Sequence, residues 1–581
     1  MIYPTLTEQA TERKMVDAFR GYNHNLRIGS GEFYDMENMT STNYPVLSPR
    51  TRRGIYAEPK NAQGLISKDS LCYVDGADFV MNENRIDMGL STAEEDNPKN
   101  LISMGAYVII LPDKKYINTK DITDFGNIEA TFVSQGAVSF ELCKLDGNSY
   151  SDMTVSSTEP ESPENMAVWL DTSATPNVLK QYSATSSMWV TIATTYIKIT
   201  AEGIGKAFEV YDGVSVSGIE NAMLQDLNAN LIIQAKGDDY IVVIGMIDSA
   251  LSQTAPITVK RSMPNLDFVT ESGNRLWGCR YGEAVNGAIV NEIYASKLGD
   301  FKNWNCFMGL STDSYAASCG TDGPFTGAIT HLGYPLFFKE TCLHKVYGNY
   351  PANFQIQTTA CRGVQNGCSK SLAIVNEVLY YKARSAVCAY DGSLPAEMST
   401  ALGEESYSDA VAGAHGNKYY ISMMSTDGKY HLFVYDTAKG MWHREDNTKA
   451  LAFCSCRGEM YFIDEADGKI KTVLGSGAQG EDRVKWMAET GTLGTESPDK
   501  KYISRIILRM ALEVGTRVTI EAQYDSGGGW EFLSSMIGTS LRSFTIPVRP
   551  KRCDHLKLRI SGEGGAKIYS IVKTVEQGSD F

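Results

Sequence analysis

No stretch of the chain approaches the roughly 20 consecutive apolar residues that a membrane-spanning helix needs, and the opening MIYPTLTEQATERK lacks the apolar core of a secretory signal. Together these predict a protein without a membrane span, made and kept in a cytosol-like compartment. The 12 cysteines contain no CxxC pair. Cys454 and Cys456 lie two apart, so on a strand they share one face and read as core thiols; a structural zinc site would want a second pair. The 7 histidines show no HExxH spacing, and no GxSxG elbow or Walker loop is present. Positive charge is also short, with 54 Lys and Arg against 69 Asp and Glu, a net −15. That balance argues against a general nucleic-acid-binding surface but is compatible with duplex DNA sliding past without being gripped. Carboxylates are plentiful, yet none stands out as half of a glycosidase pair. The expectation is a protein that is not an enzyme, with no catalytic, cofactor or metal residues.

What the chain has in quantity is turns and aromatics, 52 Gly and 31 Tyr. Residues 409–446, DAVAGAHGNKYYISMMSTDGKYHLFVYDTAKGMWHRED, read as four short strands separated by turns at Gly416-Asn417, Asp427-Gly428 and Lys439-Gly440. A four-stranded meander of this size is one blade of a β-propeller. One blade cannot bury both faces, so copies are required. Looser copies occur at 65–81, 101–118, 266–305, 328–347, 372–391 and 450–470. The fold class is therefore mainly β, a propeller of roughly six to eight blades.

The remaining sequence divides around the blades. Residues 1–60 form an N-terminal docking arm, with a short amphipathic helix over 8–20 and a basic run at Arg50, Arg52 and Arg53. Residues 61–131 hold the first blades, 132–262 an inserted platform-like α+β or β-rich domain, and 263–475 the other blades. Within the insertion, 151–164 read as an exposed acidic loop and 219–227 as a helix. GSGAQG at 475–480 matches GxGxxG but leads into a strand-like segment, against a dinucleotide site. Residues 476–581 form a C-terminal β-sandwich-like domain, carrying a basic turn with Arg549, Lys551 and Arg552. The two basic groups are the candidate subunit-interface residues. Asp525-Ser-Gly-Gly-Gly-Trp530 departs from a sialidase-type hairpin signature, with Gln523 and Gly529 at its Ser and Thr positions, and reads as a glycine-rich hairpin tip.

Four stretches resemble bacteriophage and prophage tail proteins: GEFYDMENMTSTNYPVLSPRTRRG, the blade exits YASKLGDFKNWN and VYDTAKGMWHRED, and the C-terminal SPDKKYISRIILRMAL…AQYDSGGGW…TIPVRPKRCDHLKLRISG. The architecture is similar to the tail nozzle and packaged-DNA-stabilisation hub proteins of short-tailed phages. That resemblance implies a structural virion protein, made in the bacterial host cytoplasm and assembled as a homo-oligomeric ring, a hexamer by preference. The ring would sit below the portal and adaptor, with packaged double-stranded DNA passing through its lumen without sequence-specific contact. The alternative is a glycan-binding or glycan-degrading propeller for host attachment.

Overall fold

The computed structural model describes residues 11–92, 99–284, 286–495, 500–538, 540–548 and 551–577. Four-stranded antiparallel sheets form at 62–87, 100–127, 268–318, 327–360, 373–397 and 407–444. A seventh sheet, 450–472, takes its fourth strand, Gly54–Ala57, from near the start of the chain. Successive innermost strands touch around the whole circle. Ala62–Ser67 meets Asn100–Met104, then Phe268–Ser272 and Gly327–His331 follow, with Ser369–Ser371 linking to Tyr407–His415. Ala450–Cys456 packs on both Tyr407–His415 and Ala62–Ser67, which closes the ring. The molecule is a seven-bladed propeller, within the range expected, and each of the seven repeats found in the sequence falls in one blade.

Turn chemistry explains why these stretches fold back on themselves. The first hairpin of several blades has positive φ at both central residues, as at Gly273-Asn274, Asn376-Glu377 and Arg457-Gly458. This type I′ geometry matches the twist of the paired strands. Between blades the apolar faces meet: the Tyr380 ring centroid lies 5.3 Å from that of Tyr419 and 6.0 Å from that of Tyr435.

The N-terminal segment is built into the fold rather than free as an arm. Of the helix expected over 8–20, residues 11–20 are described, and Thr11–Val16 is a strand antiparallel to Ala566–Gln577. The ladder of that terminal strand supplied hydrogen bonds that outweighed local helical preference. Gly21–Tyr22 pairs with the outer strand of blade 6 at Trp442 and with Glu32–Glu37, which in turn pairs with Lys485–Thr490. Blade 6 thereby continues into the C-terminal domain as one ten-stranded sheet, ending at Arg517–Tyr524 and Glu531–Ile537. Gly21 is obligatory in this splice, because a Cβ there would lie 2.3 Å from the Trp442 carbonyl oxygen. The second C-terminal sheet, Thr11–Val16, Ala566–Gln577, Lys501–Leu512 and Arg542–Ile546, packs against it. One apolar core runs from Leu336 through Tyr419, Trp442 and Tyr22 to Trp486, Ile506 and Leu558.

The insertion has a core of its own, including Phe140, Ile199, Val216, Val243 and Val259. Three sheets build it, and its one helical feature over 219–227 is the 3₁₀ turn Ala222–Leu227, capped by the Asn221 side chain accepting from the Met223 amide. It is fastened to blade 3 by a buried polar knot. Asp212 is ion-paired with Arg261 and accepts at 2.9 Å from Asn303 Nδ2, while the Gly213 amide donates at 2.8 Å to Asn303 Oδ1.

Candidate functional site

The propeller axis is the natural place to look for chemistry in a ring of blades. Its innermost strands are mainly apolar, with segments such as Asn100–Met104, Ala373–Val375 and Ala450–Cys456. Their acidic side chains are Glu271 and Asp409. Glu271 serves a hairpin end, accepting from the Asn274 amide at 2.9 Å. Asp409 lies near the opposite end of its strand, where it accepts from the Tyr430 hydroxyl. Thus these strands do not carry two carboxylates facing each other across the axis, the arrangement glycoside hydrolysis uses.

The basic residues singled out as an interface have other duties. Arg50 makes a bidentate pair with Glu481, at 2.8 and 2.9 Å, and donates from Nε to Asn38 Oδ1 at 2.7 Å. Arg53 is buried between Glu445 and Asp446, each at 2.8 Å, with its guanidinium 5.1 Å from the Phe462 ring centroid. Burial works to raise the Asp446 pKa, but Arg53 and Arg50 overcome it and hold the carboxyl at about 2. Both arginines therefore tie the N-terminal segment to blades 6 and 7 and are not available to a neighbouring subunit. Sequence reading missed this because their partners lie about 400 residues away. Arg52 is exposed. In the second group Lys551 is paired with Glu531 and lies 5.1 Å over the Tyr524 ring; Arg552 is exposed in the short strand Arg552–Cys553, and Arg549 lies outside the described residues.

The feature with the form of a ligand site is on the sheet of the insertion built from residues 153–191, and its cleft is called the tip cleft. Met153–Ser156 runs parallel to Val168–Asp171, and Val178–Ser183 and Met188–Thr191 complete a four-stranded sheet. The first of these strands lies in the segment expected to be a loop, where it finds a pairing edge 15 residues on. Cross-strand partners share a face. Tyr182 and Trp189, partners in register, therefore stand on one side with Trp169, which packs edge-on against Trp189 at 5.4 Å. Lys180 sits 4.7 Å over the Trp169 ring and pairs with Asp171 at 2.8 Å. Hydrogen bonds from Lys180 and Ser173 hold Asp171 at about 2.

Beside this stack lies an open cleft of about 430 Å³, lined by Asn165, Met166, Gln181, Tyr182, Ser183, Thr185, Val190, Thr191 and Ile192. Met166 and Val190 are 60% and 51% exposed, far more than an apolar side chain that has found its packing partner. Amides and hydroxyls alternate with apolar groups, and no ionised side chain lines the cleft. No motif marks these residues, since neutral polar strands look alike in sequence wherever they occur. Among the described residues, no group of three or more His, Cys, Asp or Glu could hold a metal ion.

No family model matches the chain, and no curated protein matches it in sequence. Among solved structures it is similar to an exo-β-1,3-galactanase from Phanerochaete chrysosporium bound to galactose, at 9% identity and TM-score 0.22, covering 52% of this chain and 94% of that one. A Bombyx mori β-fructofuranosidase is matched over 53% and 91% of the two chains, at 8% identity and TM-score 0.17. Trypanosoma rangeli sialidase in complex with sialic acid is matched over 90% and 95%, at 9% identity and TM-score 0.18. All three are enzymes, and that finding corrects the expectation that the chain is not one. At such identity and TM-score no catalytic residue, substrate or activity is transferred from them to this chain.

Proposed function

We propose that the chain is a glycan-recognition propeller whose insertion presents the binding cleft. The observation that carries this reading is the lining of the tip cleft: amide and hydroxyl groups interleaved with apolar surface, open to solvent and free of ionised groups. An uncharged polyhydroxyl chain needs many bidirectional hydrogen-bonding groups together with apolar surface for its C–H faces, and has no charge to satisfy. The Trp169–Trp189–Tyr182 stack stiffens the sheet that carries them. The rest of the molecule acts as a rigid mount. In this proposal the resemblance to tail proteins supplies the setting, attachment of a virion to the polysaccharide of its host.

The test is binding of the intact protein to an array of neutral and acidic cell-surface oligosaccharides, followed by calorimetry on the best ligand. Neutral glycans are expected to bind, and the double substitution Asn165→Ala with Gln181→Ala to weaken binding about tenfold or more, the loss of one or two net hydrogen bonds. Binding that survives the double substitution unchanged, or a protein that binds none of the neutral glycans, would overturn the reading.

A further inference from the structure

The C-terminal domain holds an arrangement that the tip cleft does not use. Ser526 Oγ lies 2.7 Å from His555 Nε2, and His555 Nδ1 lies 2.8 Å from Asp554 Oδ2. We propose that Ser526, His555 and Asp554 form a hydrolytic centre for short acyl esters, a serine nucleophile with its base and the carboxylate that orients the base.

The hydrogen bonds fix the roles. An ionised carboxylate can only accept, and the hydrogen bond from His555 lowers the Asp554 pKa from its ordinary value. The proton of a neutral His555 therefore sits on Nδ1, leaving the Nε2 lone pair to receive the Ser526 hydroxyl. The backbone holds the two halves together. Ser526 tips the hairpin between Arg517–Tyr524 and Glu531–Ile537, and the Asp525 amide donates to the His555 carbonyl at 3.0 Å. Asp525 Oδ1 accepts from the amides of Asp554 at 2.7 Å and His555 at 3.2 Å. Ser526 and Asp525 are both non-glycine residues in the left-handed region, with φ of +51° and +52°. Such a conformation persists only where surrounding contacts determine it. A cleft of about 250 Å³ opens at Ser526, with Leu26, Ile28 and Tyr34 as an apolar wall and Lys557 beside it. Gly528 and Gly529 follow, and the positions their Cβ atoms would take meet nothing within 4 Å, which leaves the backbone there open to a bound carbonyl.

The chemistry balances with water alone. Ser526 Oγ bonds to the ester carbonyl carbon as its proton passes to His555 Nε2. The C–O bond to the alcohol breaks, and the alcohol leaves with that proton. Water then attacks the acyl-serine, gives a proton to Nε2, and releases the carboxylic acid as Ser526 recovers its hydrogen. The apolar wall and the small cleft favour acyl groups of a few carbons. Ser526 and His555 touch the reacting atoms, whereas Asp554 and Asp525 are positioning residues.

This site is independent of the tip cleft, and its assay contains no glycan, so the two readings fail separately. The full chain is incubated with p-nitrophenyl acetate and butyrate, and in parallel with a fluorophosphonate probe followed by peptide mass spectrometry. Probe on Ser526 and turnover of both esters are expected. Ser526→Ala and Ser526→Gly should each reduce turnover by about 10³-fold; glycine suits the positive φ, so its loss cannot come from a disrupted turn. Asp554→Asn should lower turnover by roughly 10²-fold and move the pH profile, which a merely structural residue would not do. Absence of probe on Ser526, or hydrolysis unchanged in Ser526→Gly, would overturn the proposal.

Discussion

The two appendages of the propeller are attached in different ways. The C-terminal sandwich shares a sheet and an apolar core with blades 4 to 6, so no surface separates it from the ring. The insertion has a closed core and meets blade 3 through a knot of side chains around Asp212. A shared sheet transmits strain and cannot be parted without breaking backbone hydrogen bonds. A polar knot, by contrast, can open while both cores stay intact. The ring and sandwich should therefore unfold as one unit, and the insertion should be separable from them.

The largest effect should come from cutting the weld at Arg53. Arg53→Ala leaves Glu445 and Asp446 buried beside Arg50 without their main counter-charge, and removes the fastening next to the strand that closes blade 7. Loss of one partner in a buried ion pair costs about 3–5 kcal/mol. Denaturant unfolding followed by tryptophan fluorescence should show it, with ring and sandwich destabilised together. The same network sets an acid limit. Asp446 has a depressed folded pKa, so its contribution is complete above the ordinary carboxylate pKa of about 4 and is lost as pH falls toward 2. A loss under about 1 kcal/mol would mean that the weld lies in the shared sheet alone.

A smaller and more local effect is expected from Asp212→Ala. It strands the buried Arg261 and releases Asn303 Nδ2 and the Glu209 amide, which donates to Asp212 at 2.9 Å. Charge-assisted hydrogen bonds are worth about 1.5–3 kcal/mol each. Hydrogen exchange should rise at least tenfold at 211–217 and 303–306 while blade 6 stays protected, as should the insertion core around Phe140 and Val243. Exchange that rose in blade 6 as well would break the contrast between the two attachments.

The sequence showed one of these attachments far better than the other. The blades were legible because each is a local object: a turn with glycine or asparagine, an aromatic strand, and a tryptophan or aspartate exit recur within 20 to 40 residues. The insertion was legible as an interruption of that rhythm. The weld was not, since Tyr22 pairs with Trp442, Arg50 with Glu481 and Thr11 with Glu576, and each half alone is an unremarkable strand or loop. The same holds for chemistry. Asp525-Ser-Gly was visible as a hairpin tip, but the histidine that gives Ser526 a proton acceptor lies 29 residues downstream across a sheet, and no spacing rule leads from one to the other. The tip cleft left still less trace, because its lining is ordinary polar strand residues brought together by one parallel pairing.

The smallest predicted change tests whether turn geometry, rather than side-chain packing, sets the local stability of a blade. Leu332 occupies the first central position of the blade 4 hairpin with φ of +51°, followed by Gly333 at +80°. A leucine in this region meets a Cβ–carbonyl clash of roughly 1–2 kcal/mol, whereas asparagine tolerates it and makes the preferred Asn-Gly type I′ pair. Leu332 is 54% exposed, so little apolar burial is lost on replacement. Leu332→Asn should stabilise the ring by about 0.5–1 kcal/mol, raising its unfolding midpoint while exchange in the insertion is unchanged. If the insertion gains protection too, the two units are coupled more tightly than the Asp212 knot implies. If the midpoint falls, the exposed leucine contributes contacts with blade 5 that outweigh the strain of its backbone. Blade 5 approaches this turn through Gly392, where an added Cβ would sit 3.7 Å from Leu332 Cδ1.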